Sequence, residues 1–232
     1  MNNKIKKIIL KKNKQKILCL TSYSKNITEI LDRFVDIILV GDSLGSVLYN
    51  YNSTRKVSLR NMIEHSKSVR MGIKKSLMVV DMPFQTYRTK SEALFNAKKL
   101  IKLTKCDAVK LEGGRRRIPM VEALVSAEIP VMGHIGLTPQ SVNTMGGFRI
   151  QGRDVKAAND LVAAAKALVH AGCFSIVLEC VPSVVASMVT DSVDVPTIGI
   201  GAGSGCDGQV LVFHDLLGIE KRTTPKFVRR YA

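Results

Sequence analysis

Four acidic side chains stand at the ends of apolar runs. Asp42 closes "DIILVGD", Asp81 closes "SLMVVD", Glu112 ends "DAVKLE" and Glu179 ends "FSIVLE". A carboxylate is seldom buried without a partner, and these runs supply none locally. Lys110 precedes Glu112 by two residues, so on a strand both side chains share one face. His134 lies in a further run of the same kind, "IPVMGHIG". Acids gathered in one place repel each other unless a metal or cationic side chains offset them. Carboxylate ligands without a nearby thiolate or paired imidazole favour magnesium over zinc. Local roles compete with this reading: helix N-capping for Asp42 and Asp81, and a turn acid for Glu112 before Gly113 and Gly114. No such local role suggests itself for Glu179. A lone histidine is more often structural than catalytic, and His65, His170 and His214 are read that way.

The runs that carry these residues read as strands: 17–21, 36–41, 76–81, 107–112, 129–136, 174–179, 195–201 and 209–215. Their continuous apolar character, rather than clean alternation, suits parallel strands covered on both faces. Segments such as "SEALFNAKKLIKLTK" and "AANDLVAAAKALVHAG" lie between them, with apolar positions three and four apart. The second stops at Gly172. Eight strands with intervening helices predict an α/β fold, a (β/α)8 TIM barrel, as one domain over residues 1–232. An open doubly wound sheet is the rival, but "GDSLGS" matches a dinucleotide loop poorly. The connection "AGSGCDG" is short for a crossover helix. In a barrel the carboxyl ends of the strands share one mouth, so Asp42, Asp81, Glu112, His134 and Glu179 would converge there.

The 232 residues are 46% hydrophobic, enough for a sizeable core, and contain no Trp, so aliphatic packing must fill it. The five cysteines form no CxxC pair and read as buried free thiols in a reducing compartment. The formal charge is +16, from 35 Lys and Arg against 19 Asp and Glu. That surplus can attract nucleic acid or anionic lipid. The lysines run along the whole chain, however, with no RNA- or DNA-binding motif beside them, and a lysine-rich surface with no nucleic-acid partner is expected. The densest stretch, "KIKKIILKKNKQK", lacks the Arg and Ser of a transit peptide and reads as a short N-terminal helix. No apolar run approaches the roughly 18 to 20 residues of a membrane span. A cytoplasmic protein without a membrane partner is expected.

Longer stretches are distinctive. "LVGDSLG" (39–45), "VVDMPF" (79–84), "VKLEGG" (109–114) and "GHIGLTPQSVNTMGGFRIQGR" (133–153) resemble the ketopantoate hydroxymethyltransferase family. So do "VLECVP" (177–182), "IGIGAG" (198–203), "CDGQVLVFHDLLGI" (206–219) and "PKF" (225–227). The resemblance implies a Mg2+-dependent (β/α)8 barrel. It implies transfer of a one-carbon unit from 5,10-methylenetetrahydrofolate to 3-methyl-2-oxobutanoate, giving 2-dehydropantoate for pantothenate biosynthesis. By motif, Asp42 and Asp81 would bind the metal, with Glu112 joining directly or through water. Asp42, Ser43, Asp81, Lys110 and His134 would hold the oxo acid, and Glu179 would be the general base. A glutamate walled by apolar side chains has its proton affinity raised toward the range useful to a base, which is the expectation for "FSIVLEC". The family also implies a large homo-oligomer, often a decamer.

Three features depart from the family pattern. Ser24 stands where an Asp is common, and Arg115, Arg116 and Arg117 bring charge either to the mouth or to a solvated helix start. An abbreviated C-terminus is expected after "PKFVRRYA". Phosphoenolpyruvate mutase and isocitrate lyase relatives would share the chemistry of a metal-stabilised enolate, but their KKCGH stretch is absent.

Overall fold

The computed structural model describes residues 2–219 and 225–232. The apolar runs form β1 (Ile17–Thr21), β2 (Ile37–Val40), β3 (Leu77–Asp81), β4 (Ala108–Glu112), β5 (Val131–Gly136), β6 (Ser175–Glu179), β7 (Thr197–Ile200) and β8 (Gly208–Leu211). All neighbours pair in parallel, and β8 returns to β1, with Cys19 opposite Val210. The closed barrel excludes an open doubly wound sheet.

The helices are α1 (Asn3–Leu10), α2 (Lys25–Leu31), α3 (Leu44–Val47), α4 (Leu59–Gly72), α5 (Lys90–Thr104), α6 (Ile118–Ser126), α7 (Val155–His170), α8 (Ser183–Asp191) and α9 (Phe213–Leu217). Ser58, Thr89 and Asp154 cap the three longest, each side chain accepting a backbone N–H of the first turn. No helix separates β7 from β8, as the short connection suggested. One boundary is corrected: the expected strand 209–215 ends at Leu211, and residues 213–217 are helical. The Phe213 N–H donates to Thr21 Oγ1 at 3.0 Å, which turns the chain away from the sheet.

Two-residue periodicity sorts the side chains of every strand. Ile38, Val40, Met78, Val80, Val109, Leu111 and Leu178 pack against the helices. Ile17, Cys19, Ile37, Leu39, Leu77, Val79, Ala108, Met132, Val177, Ile198 and Val210 form a separate inner core. Each fully buried aliphatic side chain contributes about 1.5–3 kcal/mol. The inner columns continue upward in the same parity, from Leu77 and Val79 to Asp81, from Ala108 to Lys110 and Glu112, from Met132 to His134, and from Val177 to Glu179. The parity that builds an apolar floor thus sends the charged residues inward at the top.

The basic N-terminal segment closes the other end. Ile5 and Ile8 of α1 join the inner core, and its lysines face acids that immediately precede strands. Lys11 reaches Asp36 before β2 at 2.5 Å, and Lys12 reaches Asp207 before β8 at 2.8 Å. Lys4 donates to Ser76 O at 2.8 Å and lies 3.7 Å from Asp107, before β4. Part of the charge surplus is therefore a plug under the barrel.

Candidate active site

The inward charged residues meet in a cavity of about 110 Å3 at the carboxyl ends of the strands. Among the described residues, the larger hollows, about 320 Å3 beside α7 and about 500 Å3 outside β1 and β8, are lined by no comparable cluster of charges. All of the expected residues, Asp42, Ser43, Asp81, Lys110, Glu112, His134 and Glu179, line the small cavity. Leu39, Val177 and Val210 give it an apolar floor.

Strand register explains the contacts. Asp81 pairs with Lys110 across β3 and β4, and Glu112 pairs with His134 across β4 and β5. Lys110 Nζ lies 2.9 Å from Asp81 Oδ1 and 3.2 Å from His134 Nδ1. His134 Nε2 lies 3.2 Å from Glu179 Oε2. An ammonium can only donate, so Nδ1 accepts from Lys110, and the neutral ring carries its hydrogen on Nε2, facing Glu179. Burial, then the Lys110 charge, hold the His134 pKa below its usual value and favour this neutral form. Glu179 therefore has a polar neighbour, and the expectation of a purely apolar wall around it is corrected: β5 lies beside β6 and brings His134 into contact.

Asp42 follows Gly41, an inward position where a Cβ would stand 2.8 Å from Ser43 Oγ and force that hydroxyl to move. The Asp42 N–H donates to Asp81 Oδ2 at 3.1 Å, which draws the two acids together. Neither acid is a helix cap. Ser43 precedes α3 without a side-chain cap bond, and Thr89 caps α5. Glu112 is 4% exposed on β4, which removes the turn-acid role. Gly136 makes another close approach: at φ +89°, a Cβ would lie 2.3 Å from the Glu179 carbonyl oxygen.

The electrostatic balance is negative. Burial, then the Asp81 charge, push Asp42 up to about 7. Burial, then the Asp42 charge, raise Glu112 well above the usual carboxylate range. Burial opposes the Lys110 charge, but Asp81, Glu112 and Asp42 outweigh it and raise its pKa. One ammonium faces four acids, and the oxygen-only donor set suits a hard divalent cation. Among the described residues no group of three or more His, Cys, Asp or Glu side chains is placed to hold a metal ion by itself. Magnesium does not require one, because it keeps several waters and takes one or two carboxylates together with its substrate. Asp42 and Asp81 fit that pattern, with Glu112 nearby.

Sequence reasoning missed the residues that brace these acids. Gln140, on a 3-10 turn after β5, donates from Nε2 to Asp42 Oδ2 at 2.8 Å and from its backbone N–H to Glu112 Oε2 at 2.9 Å. Tyr87 OH donates to Gln140 Oε1 at 2.5 Å. Tyr23 OH lies 2.8 Å from Ser43 Oγ, and His65 Nδ1 lies 2.8 Å from the Tyr23 carbonyl oxygen. His65 is thus a brace for the site, in keeping with a structural role. Ser24 lies outside the cavity lining, its hydroxyl 2.6 Å from Asn26 Oδ1. Arg115 and Arg116 are exposed, whereas Arg117 turns back onto Glu112 O at 3.2 Å. All five cysteines are free, and four are buried.

The profile of the family described as ketopantoate hydroxymethyltransferase matches residues 2–232. A 3-methyl-2-oxobutanoate hydroxymethyltransferase of Pelagibacter ubique is 57% identical over 232 residues, which are 100% of this chain and 89% of the relative. Its counterpart in Syntrophomonas wolfei is 53% identical over 96% of this chain and 81% of the relative. Among solved structures, an oxaloacetate acetylhydrolase superposes with a TM-score of 0.69 at 10% identity, over 93% of this chain and 82% of its own. A phosphonopyruvate hydrolase complexed with oxalate and Mg2+ gives 0.66 at 10% identity, over 92% and 81%. At such identities these two establish the shared barrel alone. The profile match and the sequence relatives carry the assignment: the chain belongs to the ketopantoate hydroxymethyltransferase family, a family of enzymes.

Proposed function

We propose that the chain is a 3-methyl-2-oxobutanoate hydroxymethyltransferase that takes its one-carbon unit from 5,10-methylenetetrahydrofolate and yields 2-dehydropantoate. The observation that carries the reading is the inward parity of Asp81, Lys110, Glu112, His134 and Glu179 around one small cavity. Such a pocket suits a short branched oxo acid, its alkyl end on Leu39, Val177 and Val210 and its carboxylate toward Lys110 and Ser43. Ser43 can donate a hydrogen bond to that carboxylate while Tyr23 fixes its hydroxyl.

Asp42 and Asp81 would hold Mg2+, with Glu112 joining directly or through water. Bound there, the ion supplies Lewis-acid stabilisation of negative charge on the substrate's keto oxygen. Glu179 is the general base that takes the proton from C3 of the oxo acid. The neutral His134 ring, held by Lys110, places Nε2 3.2 Å from Glu179 Oε2, a polar neighbour for the base. The carbon freed of its proton then attacks the one-carbon unit of the folate in its iminium form, the C=N electron pair passing to nitrogen. Cleavage of that C–N bond then releases tetrahydrofolate, and water supplies the hydroxyl of the product.

The chain is read as a single domain. The apolar hollow outside β1 and β8, with Leu18 and Phe34 exposed, supports a homo-oligomer. No described helix is long and apolar enough to cross a membrane. A cytoplasmic location accords with the buried free thiols. An assay with 3-methyl-2-oxobutanoate and methylenetetrahydrofolate, with Mg2+ or with chelator, tests the reading. Formation of 2-dehydropantoate only with metal is expected, and its absence in both arms refutes the proposed function.

A further inference from the structure

Gln140 is 3% exposed, and both donors of its side-chain amide are used. Nε2 reaches Asp42 Oδ2 at 2.8 Å and Met82 O at 3.1 Å, while Oε1 faces Tyr87 OH at 2.5 Å. The Met82 carbonyl can only accept, so the amide has a single workable orientation, with Tyr87 as donor to its oxygen. The backbone N–H of the same residue holds Glu112 Oε2 at 2.9 Å. One residue therefore engages one oxygen of each of two buried acids, one just after β2 and one at the end of β4.

The support continues outward. Arg117 sits over the Tyr87 ring, 4.7 Å from its centroid. Its Nε donates to Glu112 O at 3.2 Å and its Nη1 to Tyr87 O at 3.4 Å. The Glu112 N–H in turn points to Tyr87 OH at 3.4 Å. Arg117, Tyr87 and Gln140 thus form a chain from the rim to the acids, and none of them lines the cavity.

We propose that Gln140 is a positioning residue for the metal site. It fixes the rotation of the Asp42 and Glu112 carboxylates together, so that they meet a divalent cation already oriented, and Tyr87 locks the amide that does so. Without its amide the Asp42 carboxylate is free to turn and cation binding must order it, while the backbone N–H keeps its hold on Glu112. This inference rests on the reading of Asp42 and Asp81 as metal ligands.

The test is calorimetric titration of Mg2+, with oxo acid present, into chelator-treated wild type, Gln140→Met, Tyr87→Phe and Asp81→Asn, with a thermal melt of each apo-protein. Methionine keeps the bulk and the backbone N–H but removes the amide. Gln140→Met is expected to weaken Mg2+ binding by about 10- to 100-fold, the range for residues that orient metal ligands. Tyr87→Phe, which leaves the amide present but unlocked, is expected to weaken it by about fivefold. Wild-type affinity in a folded Gln140→Met protein overturns the proposal. Should that variant fail to fold, unchanged affinity in Tyr87→Phe overturns it instead. If wild type and Asp81→Asn bind Mg2+ equally well, the metal reading itself fails.

Discussion

The buried Asp42 carboxyl makes the stability of the metal-free protein depend on pH in a defined direction. Its pKa is pushed up to about 7 from a usual 3.8 by burial and the adjacent Asp81. The fold prefers the protonated form, so between these values the native state binds more protons than the unfolded chain. Stability therefore falls as pH rises from about 4 to about 7, then levels off. At about 1.4 kcal/mol per pH unit, this one group removes about 3 kcal/mol between about pH 5 and about pH 8. Asparagine at this position still accepts the Gln140 hydrogen bond through its carbonyl oxygen but cannot ionise. Urea denaturation of wild type and Asp42→Asn in chelator at the two pH values reads this contribution together with the repulsion between Asp42 and Glu112. The wild type should lose about 3 kcal/mol more than the variant on going to the higher pH. Equal losses would refute the reasoning that places an uncompensated acid there. On the proposed reading of Asp42 as a metal ligand, Mg2+ binds its ionised form, so the ion's stabilisation of wild type should be larger at the higher pH.

Two further substitutions probe opposite ends of the barrel. Lys110→Met removes the ammonium that pairs with Asp81 in a buried setting; it should lower stability at neutral pH by about 3 kcal/mol and weaken oxo-acid binding at least about tenfold, read by denaturation and calorimetry. Asp207→Asn removes the charge that meets Lys12 at 2.8 Å and accepts the N–H groups of Asn13 and Thr197. A loss of about 2–3 kcal/mol is expected with kcat unchanged, because the plug lies at the far end of the barrel from the cavity. A fall in kcat without a change in melting temperature would contradict that separation.

The strands and the inward acids were legible because one rule governs both. Residues two apart share a face, so Lys110 and Glu112 had to point together, and eight apolar runs had to close around a common interior. The boundary at Leu211 was not legible, since "VLVF" is apolar in either conformation and only the Thr21 bond to Phe213 marks the turn. Gln140 was missed for a different reason. It stands on a turn outside any periodic element, and its contacts lie 28 and 98 residues away in sequence. His134 beside Glu179 depended on which strands become neighbours, which periodicity within a strand does not reveal. Lys4, Lys11 and Lys12 of the N-terminal segment looked like general surface charge until the acids before β2, β4 and β8 were brought beneath the barrel.

If Glu179 takes a carbon-bound proton from an oxo acid held in the charged mouth, as proposed, its loss must stop exchange at that carbon. Proton exchange at C3 of 3-methyl-2-oxobutanoate in D2O, followed by NMR with Mg2+ and without folate, tests it most directly. Wild type should exchange this proton, and Glu179→Gln should slow the exchange at least about 100-fold while still binding the oxo acid. Exchange in Glu179→Gln at close to the wild-type rate would contradict the account.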